Sequence, residues 1–287
     1  MTDEIPNISA LLDKLSNQGK HPVLTGDLGL AGIPGTIYAP EEMRGVPGVV
    51  FGHDWTVPAS GYHALCRHLA SWGIAVAIPN THTGAVANHR AFATDLVTSL
   101  DILAGVKLGD GSTTVSPDHL GVAGHGMGGG AAVLAAADRS DVQAVAAIYP
   151  SVTAPSNYDA APHVSAPGLI LAAQDDIVGT GDPARLAALW GGPVAYRIVE
   201  KATSQGIVES VLRSLTIGGG LPQRNIQKVV RGLVTGFLLY TLADENKYKD
   251  FAELAVEAKS VTYLTRSQIS AAKDPSSSSA LAGLLGR

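Results

Sequence analysis

Short apolar runs alternate with helical patterns along most of the chain, and this alternation constrains the fold more than any other feature. The runs have strand length and predict strands at residues 35–39, 48–52, 75–79, 120–124, 142–149, 168–173 and 194–199. Apolar residues at three- and four-residue spacing predict helices at 8–15, 60–72, 88–104, 127–137, 183–190 and 225–242. Continuously apolar strands separated by helices indicate an α/β fold, with a doubly wound, mostly parallel sheet covered by helices on both faces.

The segments on either side of this alternating region differ from it. We expect residues 1–34 to form an N-terminal helix and a lead-in, residues 35–254 to form the α/β domain, and residues 255–287 to form a C-terminal extension. That extension contains a run of four serines, which predicts a mobile tail. Residues 151–166, between two strands, are too few for a large helical insertion, so we expect no sizeable lid.

Composition excludes several classes of partner. The net charge is -5, and no dense cluster of Lys and Arg is present, which argues against nucleic acid and anionic membrane as partners. The acidic start of the chain lacks an apolar segment of the kind found in signal peptides, so we expect a cytoplasmic protein. The apolar run at 232–243 is too short to span a bilayer. Cys66 is the only cysteine, which excludes an internal disulfide.

A glycine-rich run follows the predicted strand 120–124. Its sequence, Gly124-His125-Gly126-Met127-Gly128, fits the GxSxG nucleophile elbow at both outer glycines but has Gly126 where the serine belongs. The nucleophile of such an elbow has a strained backbone that costs a residue with a side chain about 1–3 kcal/mol, and glycine removes that cost. No acyl-enzyme can form at Gly126, because glycine has no side chain.

The elbow and three other segments resemble one family. Residues 49–56 (VVFGHDWT) look like an oxyanion loop, residues 69–81 form a similar helix-to-strand signature, and residues 169–176 (LILAAQDD) look like the strand that delivers a catalytic acid. Over about 35–254 the chain resembles the actinobacterial cutinase and polyester-hydrolase group of α/β-hydrolases, with dienelactone-hydrolase-like and platelet-activating-factor-acetylhydrolase-like members. The resemblance implies an α/β-hydrolase fold, ester hydrolysis, and a triad in the order nucleophile, acid, histidine.

Only the acid of that triad is present, as Asp176. All nine histidines lie at or before His163, so Ser204 or Gln205 stands where the base is expected, and neither accepts a proton near neutral pH. Asp54 replaces the small glycine of the oxyanion loop, where a carboxylate would oppose the developing negative charge. The sequence therefore shows a degenerate triad, and we count Gly126, the missing histidine and Asp54 as three independent losses.

The main hypothesis is a catalytically inactive α/β-hydrolase-fold protein with a binding or scaffolding role. Its ligand would be an apolar acyl or ester-like molecule, or its partner another protein, and no cofactor is expected. The predicted binding site is a shallow pocket that uses the N–H of Met127 as a donor. Its other predicted residues are Trp55, His53, Asp54 and His125.

Two alternatives stay open. One is an active esterase in which Gly126 replaces a native serine and a histidine near His53, His82 or His125 acts as the base. The other is a dinucleotide site, because Gly124, Gly126 and Gly129 also satisfy GxGxxG. Strand 142–149 is not followed by the acidic residue that would bind a ribose, which disfavours that site. His53, His82, His89 and His125 lack the close spacing of metal ligands, so we expect no metal site.

Overall fold

The computed structural model describes residues 8–174, 181–209, 221–252 and 260–272. Two predicted features lie outside the described residues: the acid Asp176 and the serine-rich tail. In the part of the chain that is described, no helix is both long enough and apolar enough to cross a membrane.

A single mixed sheet forms the centre of the molecule. Its strands are β1 (Val23–Asp27), β2 (Gly35–Pro40), β3 (Val46–Gly52), β4 (Ala75–Pro79), β5 (Lys107–Leu108), β6 (Thr113–His125), β7 (Val142–Ile148), β8 (Gly168–Ala173), β9 (Val194–Val199) and β10 (Val261–Leu264). Within the described ranges the order is β1-β2-β4-β3-β6-β7-β8-β9-β10, and β5 pairs with β6. Strands β4, β3, β6, β7, β8 and β9 are parallel, and β1, β2 and β10 are antiparallel additions at the two sides.

Helices cover both faces of this sheet. They are α1 (Ile8–Leu15), α2 (His63–Ser71), α3 (His89–Gly105), α4 (Met127–Ala137), α5 (Asn157–Ala160), α6 (Pro183–Leu189), α7 (Arg224–Ala243) and α8 (Arg266–Ala272). One core cluster joins α1, α2 and α7 to one face, and a second joins α3, α4 and α6 to the other. This layering confirms the predicted fold class.

The main differences from the sequence prediction lie at the sides of the sheet. Strands β1 and β10 fall outside the range 35–254 that was assigned to the α/β domain, and both belong to the sheet. Strand β6 begins at Thr113, seven residues before the predicted start at 120, since the strand passes through the polar stretch around Asp118. Between β7 and β8 the chain forms only the four-residue α5 and a 3-10 turn, in keeping with the expected lack of a sizeable lid.

The parallel strands end at one side of the sheet, which we call the carboxyl edge. In open α/β sheets, functional groups collect in the loops at this edge. Here the loops after β3, β4, β6, β7 and β9 carry, in that order, Asp54, Val86, Gly126, Val152 and Gln205.

Helix α4 packs directly on the end of β3, and Gly128 makes this approach possible. A Cβ atom on Gly128 would lie 2.2 Å from both the carbonyl carbon and the carbonyl oxygen of Gly52. Backbone atoms at this separation cannot move aside as a flexible side chain can. The second glycine of the elbow pattern therefore sets the distance between α4 and the sheet.

We expect Gly128→Ala to destabilise the protein by at least about 2 kcal/mol, because the added methyl group overlaps the backbone of β3. Gly105→Ala is the matched control, since a Cβ there meets no atom within 4 Å and alanine favours a helix. Urea unfolding of the three proteins measures the difference. Equal stability of the two variants would contradict this account of the packing.

Candidate functional site

The elbow keeps its shape without a nucleophile. Gly126 lies between β6 and α4 with φ 55° and ψ -118°, a strained conformation for any residue with a side chain. Its N–H donates to the carbonyl of Ile148 at 3.0 Å, and its own carbonyl accepts from the N–H of Ser151 at 2.9 Å. The sharp turn is therefore stabilised by backbone hydrogen bonds that need no side chain at position 126.

The carboxylate of Asp54 fills the space above this glycine. A Cβ atom on Gly126 would lie 1.9 Å from Oδ1 of Asp54, so the carboxylate occupies the place of a nucleophile's side chain. Oδ1 also accepts the N–H of Met127 at 2.8 Å. In this fold that N–H holds the oxyanion of a reacting ester. Asp54 thus places its own anion in the oxyanion hole and is almost fully buried there.

Gln205 contacts the same carboxylate from the other side. Its Nε2 donates to Oδ2 of Asp54 at 2.8 Å. Gln205 lies in the turn after β9, the position predicted for the missing base. Gln223, for which the sequence offers no signal, fixes that turn: it accepts the N–H of Thr203 at 2.9 Å and donates to the carbonyl of Lys201 at 2.8 Å. The side chain at the position predicted for the base is therefore an amide, and it donates a hydrogen bond to the Asp54 carboxylate.

Two buried histidines and a tyrosine hold the loop that carries Asp54. The hydroxyl of Tyr62, also missed from the sequence, accepts the N–H of Asp54 at 3.1 Å and lies 2.7 Å from Nδ1 of His125. The two ring nitrogens of His53 lie 2.9 Å from the carbonyl of Asp54 and 2.7 Å from that of Thr81. Burial lowers the pKa of His53, while the two carbonyl contacts act in the opposite direction.

These contacts change how the predicted binding residues are interpreted. His53 and His125 have no exposed surface, so they position the Asp54 loop and cannot touch a ligand directly. The N–H of Met127, which we expected a ligand to use, already donates to Asp54. The pocket expected beside Gly126 is filled by that same carboxylate.

The three losses counted from the sequence are not independent. The Asp54 carboxylate fits only because Gly126 has no side chain, and its two oxygens accept from Met127 and Gln205. The start of α4 also favours a negative charge, because the helix dipole places positive potential there. Met127, Asp54 and Gln205 form one hydrogen-bonded unit, and Gly126 leaves the space for it.

The residues that the two alternatives require have the following contacts. His53 contacts carbonyl groups, His125 contacts Tyr62, and His82 lies 3.3 Å from a carboxylate oxygen of Asp95. A pyrophosphate at the start of α4 would meet the negative charge of Asp54.

Across the described ranges, no group of three His, Cys, Asp or Glu side chains is arranged to hold a metal ion.

Exposed apolar side chains lie in three of the loops at the carboxyl edge. We call Trp55, Val86 and Val152 the apolar rim, and about half or more of each is exposed. The indole N–H of Trp55 donates to the carbonyl of Ala85 at 3.1 Å, which joins the first two rim loops. The N–H of Ala154 donates to a ring nitrogen of His89 at 2.9 Å, which joins the loop of Val152 to the start of α3. The rim is therefore held together by hydrogen bonds.

The layered sheet and the glycine elbow at its carboxyl edge define an α/β-hydrolase fold. Residues 16–186 match the family described as PETase, PET hydrolase-like. The chain belongs to this PET hydrolase-like family, as the cutinase and polyester-hydrolase resemblance implied. The matched residues include Asp54 and Gly126 and end before Gln205. No curated protein shows a significant match to the chain.

We expect Gly126→Ser to be tolerated better after Asp54 is shortened. In the native background the new side chain overlaps Oδ1 of Asp54, so the change should cost about 1–3 kcal/mol more than it does in an Asp54→Gly background. Urea unfolding of the wild type, both single variants and the double variant gives this coupling energy. Additive costs would show that Asp54 does not occupy the nucleophile's space.

Proposed function

We propose that this PET hydrolase-like protein does not hydrolyse esters and acts instead as a binding protein. The observation that carries the proposal is the Asp54 carboxylate above Gly126, bonded to Met127 and Gln205. Ester hydrolysis in this fold needs a nucleophile, a base and an empty oxyanion hole. At this elbow, glycine, glutamine and a bound carboxylate stand in their places.

The cost of binding an ester carbonyl at the elbow supports the same conclusion. An oxyanion at Met127 would have to displace Asp54, which would break two hydrogen bonds to a buried carboxylate. Hydrogen bonds to charged groups are worth about 1.5–3 kcal/mol each. A hydrolase uses its elbow donors to stabilise the transition state, whereas here they stabilise the folded protein.

The apolar rim is the surface through which we propose that binding occurs. Exposed apolar groups held together on a protein surface often mark interaction sites. The rim lies at the same edge of the sheet as the closed elbow, so its occupant would lie on the surface and would not enter a deep pocket at Gly126. An apolar ester or acyl ligand fits this surface, and so does a protein partner with an apolar patch.

The absence of hydrolysis is tested with short 4-nitrophenyl esters and a fluorophosphonate probe, with an active serine esterase assayed in parallel. We expect the wild type and Asp54→Asn to release nitrophenol at the same background rate, and the probe to label neither. The Asn variant also tests whether Asp54 acts as a nucleophile. Labelling of the folded protein, or a wild-type rate tenfold above that of Asp54→Asn, would sink the proposal.

Binding through the rim is tested by adsorption to polyester particles. Val86→Ser should reduce adsorption several-fold, because it removes an apolar group from the rim. Val106→Ser is the matched control: it lies at the opposite end of α3, whose 17 residues span about 25 Å. If the two variants adsorb equally, apolar surfaces do not bind at the rim, and a pull-down with the same variants then tests a protein partner.

A further inference from the structure

An open cavity of about 800 Å³ lies at the opposite edge of the sheet, away from the elbow and the apolar rim. The end of α1 with the loop after it, the turn between β2 and β3, the end of α2 and the end of α7 form its walls. Its volume lies in the range of small-molecule sites. No residue of the hydrogen-bonded unit around Asp54 lines it.

Positive charge dominates this cavity although the whole chain is acidic. Its cationic lining residues are Lys14, Lys20, Arg44 and Lys247, with His21 and His119 beside them. The one carboxylate that lines it, that of Glu245, is paired with Lys247. Among the described residues, no carboxylate lies within ion-pairing distance of Lys14, Lys20 or Arg44.

Lys20 sits on a backbone that is already fixed. The residues on either side of it are tied to the end of α2: the N–H of Gly19 donates to the hydroxyl of Ser71 at 2.8 Å, and the N–H of His21 donates to the carbonyl of Ser71 at 3.0 Å. Burial and the nearby Lys20 ammonium lower the pKa of His21, which agrees with a positive potential at this point.

Arg44 is held in the same way in the turn between β2 and β3. The N–H of Met43 donates to the hydroxyl of Thr113 at 3.3 Å, and the N–H of Gly45 donates to the hydroxyl of Thr114 at 3.1 Å. Fixing a backbone before binding lowers the ordering cost that a ligand must offset. The backbone that carries each of these two cations is thus fixed beside one cavity, on separate loops.

The cavity also has an apolar wall. The half-buried indole of Trp72 lines it and is fixed by a hydrogen bond from its N–H to the carbonyl of Asn17 at 3.0 Å. Met43 lines the cavity as well. A simple inorganic ion would leave this wall unused, so the arrangement favours an anion with an apolar or aromatic body.

We propose that this cavity binds a small soluble phosphate monoester. The phosphate dianion would lie among Lys14, Lys20 and Arg44, because a guanidinium binds phosphate oxygens in pairs and lysine adds point charges. The organic group would lie against Trp72. This site is separate from the elbow and does not depend on the function proposed for it.

The proposal is tested by calorimetric titration with 2-naphthyl phosphate, with inorganic phosphate and 2-naphthol as partial ligands. We expect one site per chain, weaker binding as salt is raised, and weaker binding of both partial ligands. The double variant Lys20→Gln/Arg44→Gln should raise the Kd at least tenfold. Arg90→Gln is the control, because Arg90 is an exposed arginine at the start of α3, near the carboxyl edge, and its loss should leave the Kd unchanged.

Three results would overturn the proposal: no binding of 2-naphthyl phosphate at millimolar concentration, an unchanged Kd in the double variant when circular dichroism shows it folded, or equal binding of 2-naphthol. A parallel arm uses phosphatidylcholine vesicles with and without phosphatidic acid. Vesicle binding that needs Lys20 and Arg44, without binding of the soluble ester, would assign the cavity to a lipid headgroup and overturn the soluble-ligand proposal.

Discussion

The hydrogen bond from the N–H of Met127 to the carboxylate of Asp54 is the contact on which the arrangement at the carboxyl edge depends. The first backbone N–H groups of a helix have no partner inside the helix. In an active hydrolase of this fold, the first of them donates to the oxyanion of the bound ester. In this chain the N–H of Met127 donates instead to the carboxylate of Asp54. The loop after β3 closes over the elbow, and Gln205 in the turn after β9 bonds to the same carboxylate, so one anion joins three loops.

Much of the fold was predictable because its signals are local. The apolar runs of the central strands and the spacing in the main helices indicated the α/β layers, since residues buried on both faces must be apolar along their whole length. Strands β1 and β10 were missed because each is short and partly polar, and β10 is also paired with a strand about sixty residues earlier in the sequence. Such pairing leaves little trace in the sequence itself.

The sequence predicted which residues of the site depart from the family pattern, but it did not predict the contacts between them. The sequence identified Gly126, Asp54 and Gln205 as departures from the family pattern, yet gave no sign that the three touch. Asp54 was expected to oppose an incoming anion, whereas it takes that anion's place. Two features of the sequence could have revealed this contact. A glycine at the start of a helix leaves room for a carboxylate, and the positive potential at the helix start attracts one.

The fit between Asp54 and Gly126 also limits the routes by which the sequence can change. A serine introduced alone at 126 meets the carboxylate, and shortening Asp54 alone leaves the Met127 N–H and the Gln205 amide without their acceptor. Each of these single changes therefore costs stability. The elbow can be opened without an intermediate loss of stability only if both positions change together.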